Sequence, residues 1–162
     1  MAERRIKKAV SKFPAVDLIG YAVSGVSFKV DLEHLNERAI QIDRNDLLRD
    51  TSTQRSDENP SIWQIEMHLG IKRNAQKKYA YHWDLSLLGV LKCNIPEGVL
   101  DAAQLQDNIL LNGCSLLYTT AREYLRSLTA LALKGPILLP TVTFALMPST
   151  KKQHKTKTMD SK

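Results

Sequence analysis

Residues 62–71, IWQIEMHLGI, carry the pattern that decides the fold. Positions 63, 65, 67, 69 and 71 are apolar, whereas 64, 66, 68 and 72 are polar or charged. A period of two sends successive side chains to opposite faces of a β-strand, so this segment reads as a strand with one buried face. The polar turn NAQKK follows, and Tyr79 to Lys92 reads as a second strand with Tyr81, Trp83, Leu85 and Leu87 on one side. Beyond Leu87 both faces turn apolar through Leu88, Val90 and Leu91, which predicts an end buried on two sides. Strands joined by a short polar turn pair antiparallel.

Upstream, Val16 to Leu32 reads as another strand. Val26, Phe28 and Val30 alternate with Ser27 and Lys29, which again implies one buried face. Gly20 and Gly25 inside it predict bulges or close backbone approaches. Residues 33–59 are mixed. Ile40 and Ile42 fit a short strand, and RDTSTQRSDENP (49–60) is polar and turn-rich, which predicts a surface loop.

Downstream, NIPEG (94–98) breaks the sheet and the period becomes helical. Leu105, Ile109, Leu110, Leu116, Leu117, Tyr124, Leu125, Leu128 and Leu131 recur at three and four, with Asp101 as N-cap. Gly113 in mid-helix marks a kink or a tight contact. Lys134-Gly135-Pro136 is a stop signal. The Pro-interrupted run PILLPTVTFALMP (136–148) is apolar and extended, and Pro excludes it from a central strand. The order gives an α+β domain with an antiparallel sheet. One helix cannot cover both faces of such a sheet. Apolar surface should remain as an oligomer interface or a client-binding groove, unless 136–148 simply closes the core.

Length and composition suit one domain: 162 residues, 43% hydrophobic. No apolar run approaches the ~18 residues of a membrane span. The start, MAERRIKKAVSKF, has charges without a following apolar region, so a cytoplasmic location is expected. The net charge of +6 is unevenly placed. Residues 1–12 hold +4 and residues 149–162 hold another +4, leaving −2 on 13–148. Basic ends on a slightly acidic body suit solubilising or nonspecific tails better than a nucleic-acid-binding fold, whose cations lie on the body. The last 14 residues have almost nothing to bury and are expected to be disordered.

No nucleophile elbow, P-loop, dinucleotide fingerprint or zincin motif is present. His34, His68, His82 and His154 are scattered; His68 and His82 either face each other across a strand pair or are plain sheet-surface residues. Arg122-Glu123 reads as a structural or interface charge pair, and Cys93 and Cys114 as small core hydrophobes. Metal, cofactor and catalytic residues are all expected to be none, and the chain is expected not to be an enzyme.

The stretch NGCSLLYTTAREYLRSLTALALKGPILLPTVTF (112–144) resembles the C-terminal half of SecB-type export chaperones. In that family an Ala-Arg-Glu sits in the helix and a loop of the form G-x-P-x-L-x-L-x-P-V-x-F follows. Ala121-Arg122-Glu123 and Gly135 through Phe144 occupy those places. Val26-Ser27-Phe28 matches the family's Ile-Ser-Phe, and Leu88-Gly89-Val90-Leu91 its Gly-Gly-Ile-Phe. The resemblance spans Val16 to Phe144. It implies a four-stranded antiparallel sheet packed with one long helix, and a homotetramer built as a dimer of dimers. It also implies an ATP-independent holdase whose clients are unfolded or nascent polypeptides. Ile137, Leu138, Leu139, Val142 and Phe144 would line the client groove; Trp83, Leu85 and Leu87 would make oligomer contacts. The domain would run 16–148, between a basic extension (1–15) and the Lys-rich tail (149–162). Partners would be the SecA ATPase, for export, or an antitoxin, as in SecB-like relatives of toxin–antitoxin systems. Three departures stand out: the positions matching the acidic SecA-docking surface are Gly25, Lys29 and Asp84; the Pro before Ala-Arg-Glu is replaced around Thr119-Thr120; and Pro148 with a Lys-rich tail replaces the C-terminal helix. The alternative is a basic-tailed nucleic-acid- or ribosome-binding module.

Overall fold

The computed structural model describes residues 15–145; the expectations for residues 1–14 and for the tail 149–162 lie outside the described residues. Four strands form one sheet: β1 (Val16–Val30), β2 (Leu47–Arg55), β3 (Ile62–Ile71) and β4 (Tyr81–Cys93). Their spatial order is β1-β4-β3-β2, and every neighbouring pair is antiparallel. One helix, α1 (Ala102–Leu128), lies across a single face.

The alternation in β3 and β4 builds the floor of the core. Trp63 lies opposite Leu91, Ile65 opposite Gly89, Met67 opposite Leu87 and Leu69 opposite Leu85, all on the helix side. The helix starts with a capping box: the Asp101 side chain accepts from Gln104 N at 2.8 Å, and the Gln104 side chain accepts from Asp101 N. Its buried stripe is Ile109, Gly113, Cys114, Leu117, Tyr118, Ala121 and Leu125. Gly113 is the tight contact the sequence allowed for. A Cβ there would stand 2.6 Å from Leu91 Cδ1 and 3.0 Å from Ile65 Cδ1. Across the interface, a Cβ on Gly89 would stand 2.9 Å from Leu117 Cδ2. A helix glycine over a strand leucine and a strand glycine under a helix leucine bring the two layers close.

Four expectations are corrected. Residues 49–55, read as a surface loop, form most of β2; its partner β3 supplies the ladder, and Thr51 and Thr53 face inward half-buried while Ser52 and Gln54 face out. The short strand at Ile40 and Ile42 is one isolated bridge, Ala39 to Tyr79, because the chain turns at Asp43 before a ladder can grow. The helix stops at Leu128, a turn before Leu131, and successive tight turns carry the chain to Gly135, whose φ of 89° suits glycine alone. The end of β4 is covered on one face only: Leu91 is buried but Leu88 is exposed. The bulges in β1 fall as expected, with register shifts between Leu18 and Gly20 and between Val23 and Gly25.

The Asp46 carboxylate accepts from Lys78 Nζ at 3.0 Å and from Tyr79 Oη at 2.9 Å. The Lys78 hydrogen bond, followed by that from Tyr79, holds its carboxyl below the ordinary value of 3.8. A folded pKa below the unfolded one stabilises the protein above the unfolded value, and that contribution disappears as pH falls through the folded value. Asp46→Asn is therefore expected to lower the denaturation midpoint at pH 7 and to flatten its fall on acidification below 3.8. Urea titrations of both proteins across that range check it; parallel acid profiles would show that this carboxylate is not linked to folding.

Candidate functional site

The segment 136–145 is extended and runs back along α1 from its C-terminus towards its middle. Two side chains strap it down. Thr129 Oγ1 donates to Leu125 O at 2.6 Å and accepts from Ile137 N at 2.8 Å. Tyr118 Oη donates to Pro140 O at 2.7 Å, and its ring meets Phe144 edge-on at 5.6 Å. Burial raises the Tyr118 pKa, so the phenol keeps the proton it donates. Among the described residues, no backbone–backbone hydrogen bond involves residues 136–145. Beyond the Ile137 N–H and the Pro140 carbonyl, the main chain offers open donors and acceptors beside apolar side chains.

The five predicted client-contacting residues divide. Ile137 and Leu139 are buried (0% and 3% exposed), closing the core as the alternative reading of this segment allowed. They cannot meet a client without opening the core. Val142 and Phe144 are half-buried against that core, and Leu138 is 56% exposed. Leu128, Leu131 and Leu133, just before the segment, are also exposed.

Trp83, Leu85 and Leu87, expected as oligomer contacts, are 2%, 0% and 0% exposed and lie in the core of the single subunit. The open surface is on the neighbouring edge. Tyr21, Val26 and Phe28 are on the helix side of β1 yet remain 56%, 45% and 37% exposed, and Tyr21 borders an open groove walled by Thr120, Glu123 and Tyr124 of α1. Of the buried face expected for β1, Val30 packs partly buried against the core, whereas Val26 and Phe28 are left exposed within one chain. No sequence pattern distinguished the two, since alternation reports which residues share a face and not what covers it. Thr129 was also missed, as a single Thr at a helix end carries no periodic signal.

The outer face of the sheet is mixed, with Leu88 and Val90 among polar and charged residues. Gly25, Lys29 and Asp84 lie on it, with Asp50 and Glu66. His68 and His82 do not pair: His68 is opposite Ser86, with Nε2 3.6 Å from Asp84, and His82 is opposite Lys29. In α1, Glu123 pairs with Arg126 at 2.7 Å. Cys93 and Cys114 are free and buried, and burial pushes the Cys114 thiol up. Among the described residues, no group of three or more His, Cys, Asp or Glu could hold a metal ion, and no helix is long and apolar enough to cross a membrane.

No family model and no curated protein matches this chain. Among solved structures, a Mycobacterium tuberculosis SecB-like chaperone, in complex with a ChAD peptide from the HigA1 antitoxin, is similar. It is 16% identical with a TM-score of 0.50, over 83% of this chain and 88% of that one. A Streptococcus agalactiae protein of unknown function is 14% identical with a TM-score of 0.48, over 78% of this chain and 97% of that one. The four-stranded antiparallel sheet with one long helix is a SecB-like α+β fold.

Proposed function

We propose that this chain is a subunit of an ATP-independent holdase that binds unfolded polypeptides and has no enzymatic activity. The observation that carries this reading is the strapped segment 136–145, an extended backbone with open N–H and C=O groups beside exposed Leu138 and half-buried Val142 and Phe144. Such an edge can take up an extended chain through main-chain hydrogen bonds with little regard to its sequence. The SecB-like fold supports the same class of function. The client is of the antitoxin type: the similar solved chaperone holds an antitoxin peptide, and only Asp84 of the three positions matched to the SecA-docking surface is acidic. Export through SecA is the second reading, favoured by Asp50 and Glu66 on the same face as Asp84.

The working form is a homo-oligomer, a tetramer by the family's plan. Tyr21, Val26 and Phe28 lie along β1, whose outer edge pairs with no other strand among the described residues, an arrangement that soluble proteins avoid or cover. A second copy across β1 would cover it. The protein would work in the cytoplasm.

Aggregation of a denatured reporter, followed with light-scattering mass measurement in the same samples, tests the proposal. A multimer that suppresses aggregation at near-stoichiometric amounts, with or without residues 149–162, is expected. A monomer without suppression would sink it. Salt-sensitive RNA binding lost with the tails would then favour the nucleic-acid module.

A further inference from the structure

Two arginines from different elements converge beside the strap at Pro140. In β2, Arg49 lies opposite Leu69, on the helix side of the sheet with half-buried Thr51. The Thr51 side chain hydrogen-bonds to Cys114, which seats this part of α1 over β2. Tyr118 follows one helical turn after Cys114, and Arg122 one turn after Tyr118, so the three share a flank of the helix. Burial raises the Tyr118 pKa, and the charges of Arg122 and Arg49 pull it the other way. Both guanidinium groups are therefore close to the phenol that donates to Pro140 O.

Neither arginine has an ion pair or a hydrogen bond among the described residues. The acids nearest in the fold are engaged or face elsewhere. Asp50 and Glu66 lie on the opposite face of the sheet, Glu123 is bound to Arg126, and Asp46 to Lys78 and Tyr79. Arg49 is exposed and Arg122 half-buried. A half-buried guanidinium has given up part of its water without gaining an acceptor, so an incoming carboxylate gains more there than at a free surface. A guanidinium takes one carboxylate bidentately, whereas the net −2 on residues 13–148 opposes a long polyanion such as a nucleic acid.

We infer that Arg49 and Arg122 read an acidic residue in the bound polypeptide. The preferred client segment carries Asp or Glu within two or three residues of the apolar side chain that covers Leu138. That spacing follows because Leu138 and Pro140 are two residues apart, and a client lying extended beside them rises about 3.3 Å per residue. The inference rests on the holdase reading and adds a charge preference to main-chain contacts that have none of their own.

Fluorescence anisotropy with the full chain and two labelled, unstructured peptides tests it. The peptides are identical and rich in Leu, except that one carries Glu two residues from each Leu and the other carries Gln there. The Glu peptide is expected to bind about tenfold more tightly in low salt, the scale of hydrogen bonds to a charged group. In the double variant Arg49→Gln, Arg122→Gln that preference should shrink to within about twofold. Arg49→Gln alone changes an exposed side chain on an edge strand and should lower the preference about threefold, so the test stands even if Arg122 is needed for folding. Equal binding of the two peptides would overturn the inference and leave the holdase reading intact; failure of both to bind would sink the two together. A Glu preference that survives the double substitution would belong to the basic ends of the chain and would also overturn it. So would displacement of the Glu peptide by a homopolymeric RNA that is lost in the double variant, which would assign the pair to phosphate.

Discussion

Gly113→Leu is expected to leave the chain largely unfolded or insoluble. A Cβ at this position already stands 2.6 Å from Leu91 Cδ1, and three further carbons have nowhere to go. Overpacking a close-packed core typically costs about 1–3 kcal/mol, and more when neither layer can retreat. Here Gly89 sits against Leu117 from the other side, so lifting the helix to admit a leucine also strips contacts from Gly89. Gly113→Ala is the graded version. Alanine gains about 1 kcal/mol in helix propensity, which the clash with Leu91 and Ile65 should offset, leaving a net loss near 1 kcal/mol. Denaturant midpoints measure both. Leu91→Val should restore part of what Gly113→Ala loses, because it removes the carbon the new Cβ meets, and the double-mutant cycle isolates that coupling. If Gly113→Ala stabilised the protein, helix and sheet would be less tightly interlocked than the geometry requires.

The sequence disclosed the parts of this fold whose energetics are periodic. Both faces of β3 and β4 differ sharply, so 63, 65, 67 and 69 could be read as one wall of the core. The helix stripe from Ile109 to Leu125 is equally plain, and its N-cap was legible in Asp101, while the reciprocal bond from Gln104 came with the structure. Strand β2 was hidden because it is an edge strand whose inward positions are Thr51 and Thr53. Threonine suits a pleated half-buried surface as valine does, but a run of Arg, Asp, Thr and Ser resembles a loop when only apolar residues are counted. The candidate site was legible as a segment but not residue by residue. Proline made 136–145 extended; whether Ile137 or Leu138 points inward depends on the strap from Thr129, eight residues away.

That difference between neighbours separates structure from client binding. Ile137 is fully buried, and its N–H is held by a buried hydroxyl. Ile137→Ala should lower unfolding free energy by about 2–5 kcal/mol, the range for deleting a buried aliphatic side chain. Against a total of roughly 5–15 kcal/mol this is a severe loss, and any fall in holdase activity should follow the loss of folded protein. Leu138, 56% exposed, should behave in the opposite way. Leu138→Ser touches no core contact, so stability should stay within about 0.5 kcal/mol. Yet a client side chain that covered Leu138 would forfeit on the order of 1.5 kcal/mol, about tenfold in affinity per site. Fluorescence titration with an unfolded peptide, alongside denaturation of the same samples, reads both quantities. The proposal requires the two substitutions to split, one in stability and the other in affinity. Unchanged peptide affinity in Leu138→Ser would show that the strapped segment is only the lid of the core and would move the search for the client site to the open face of β1.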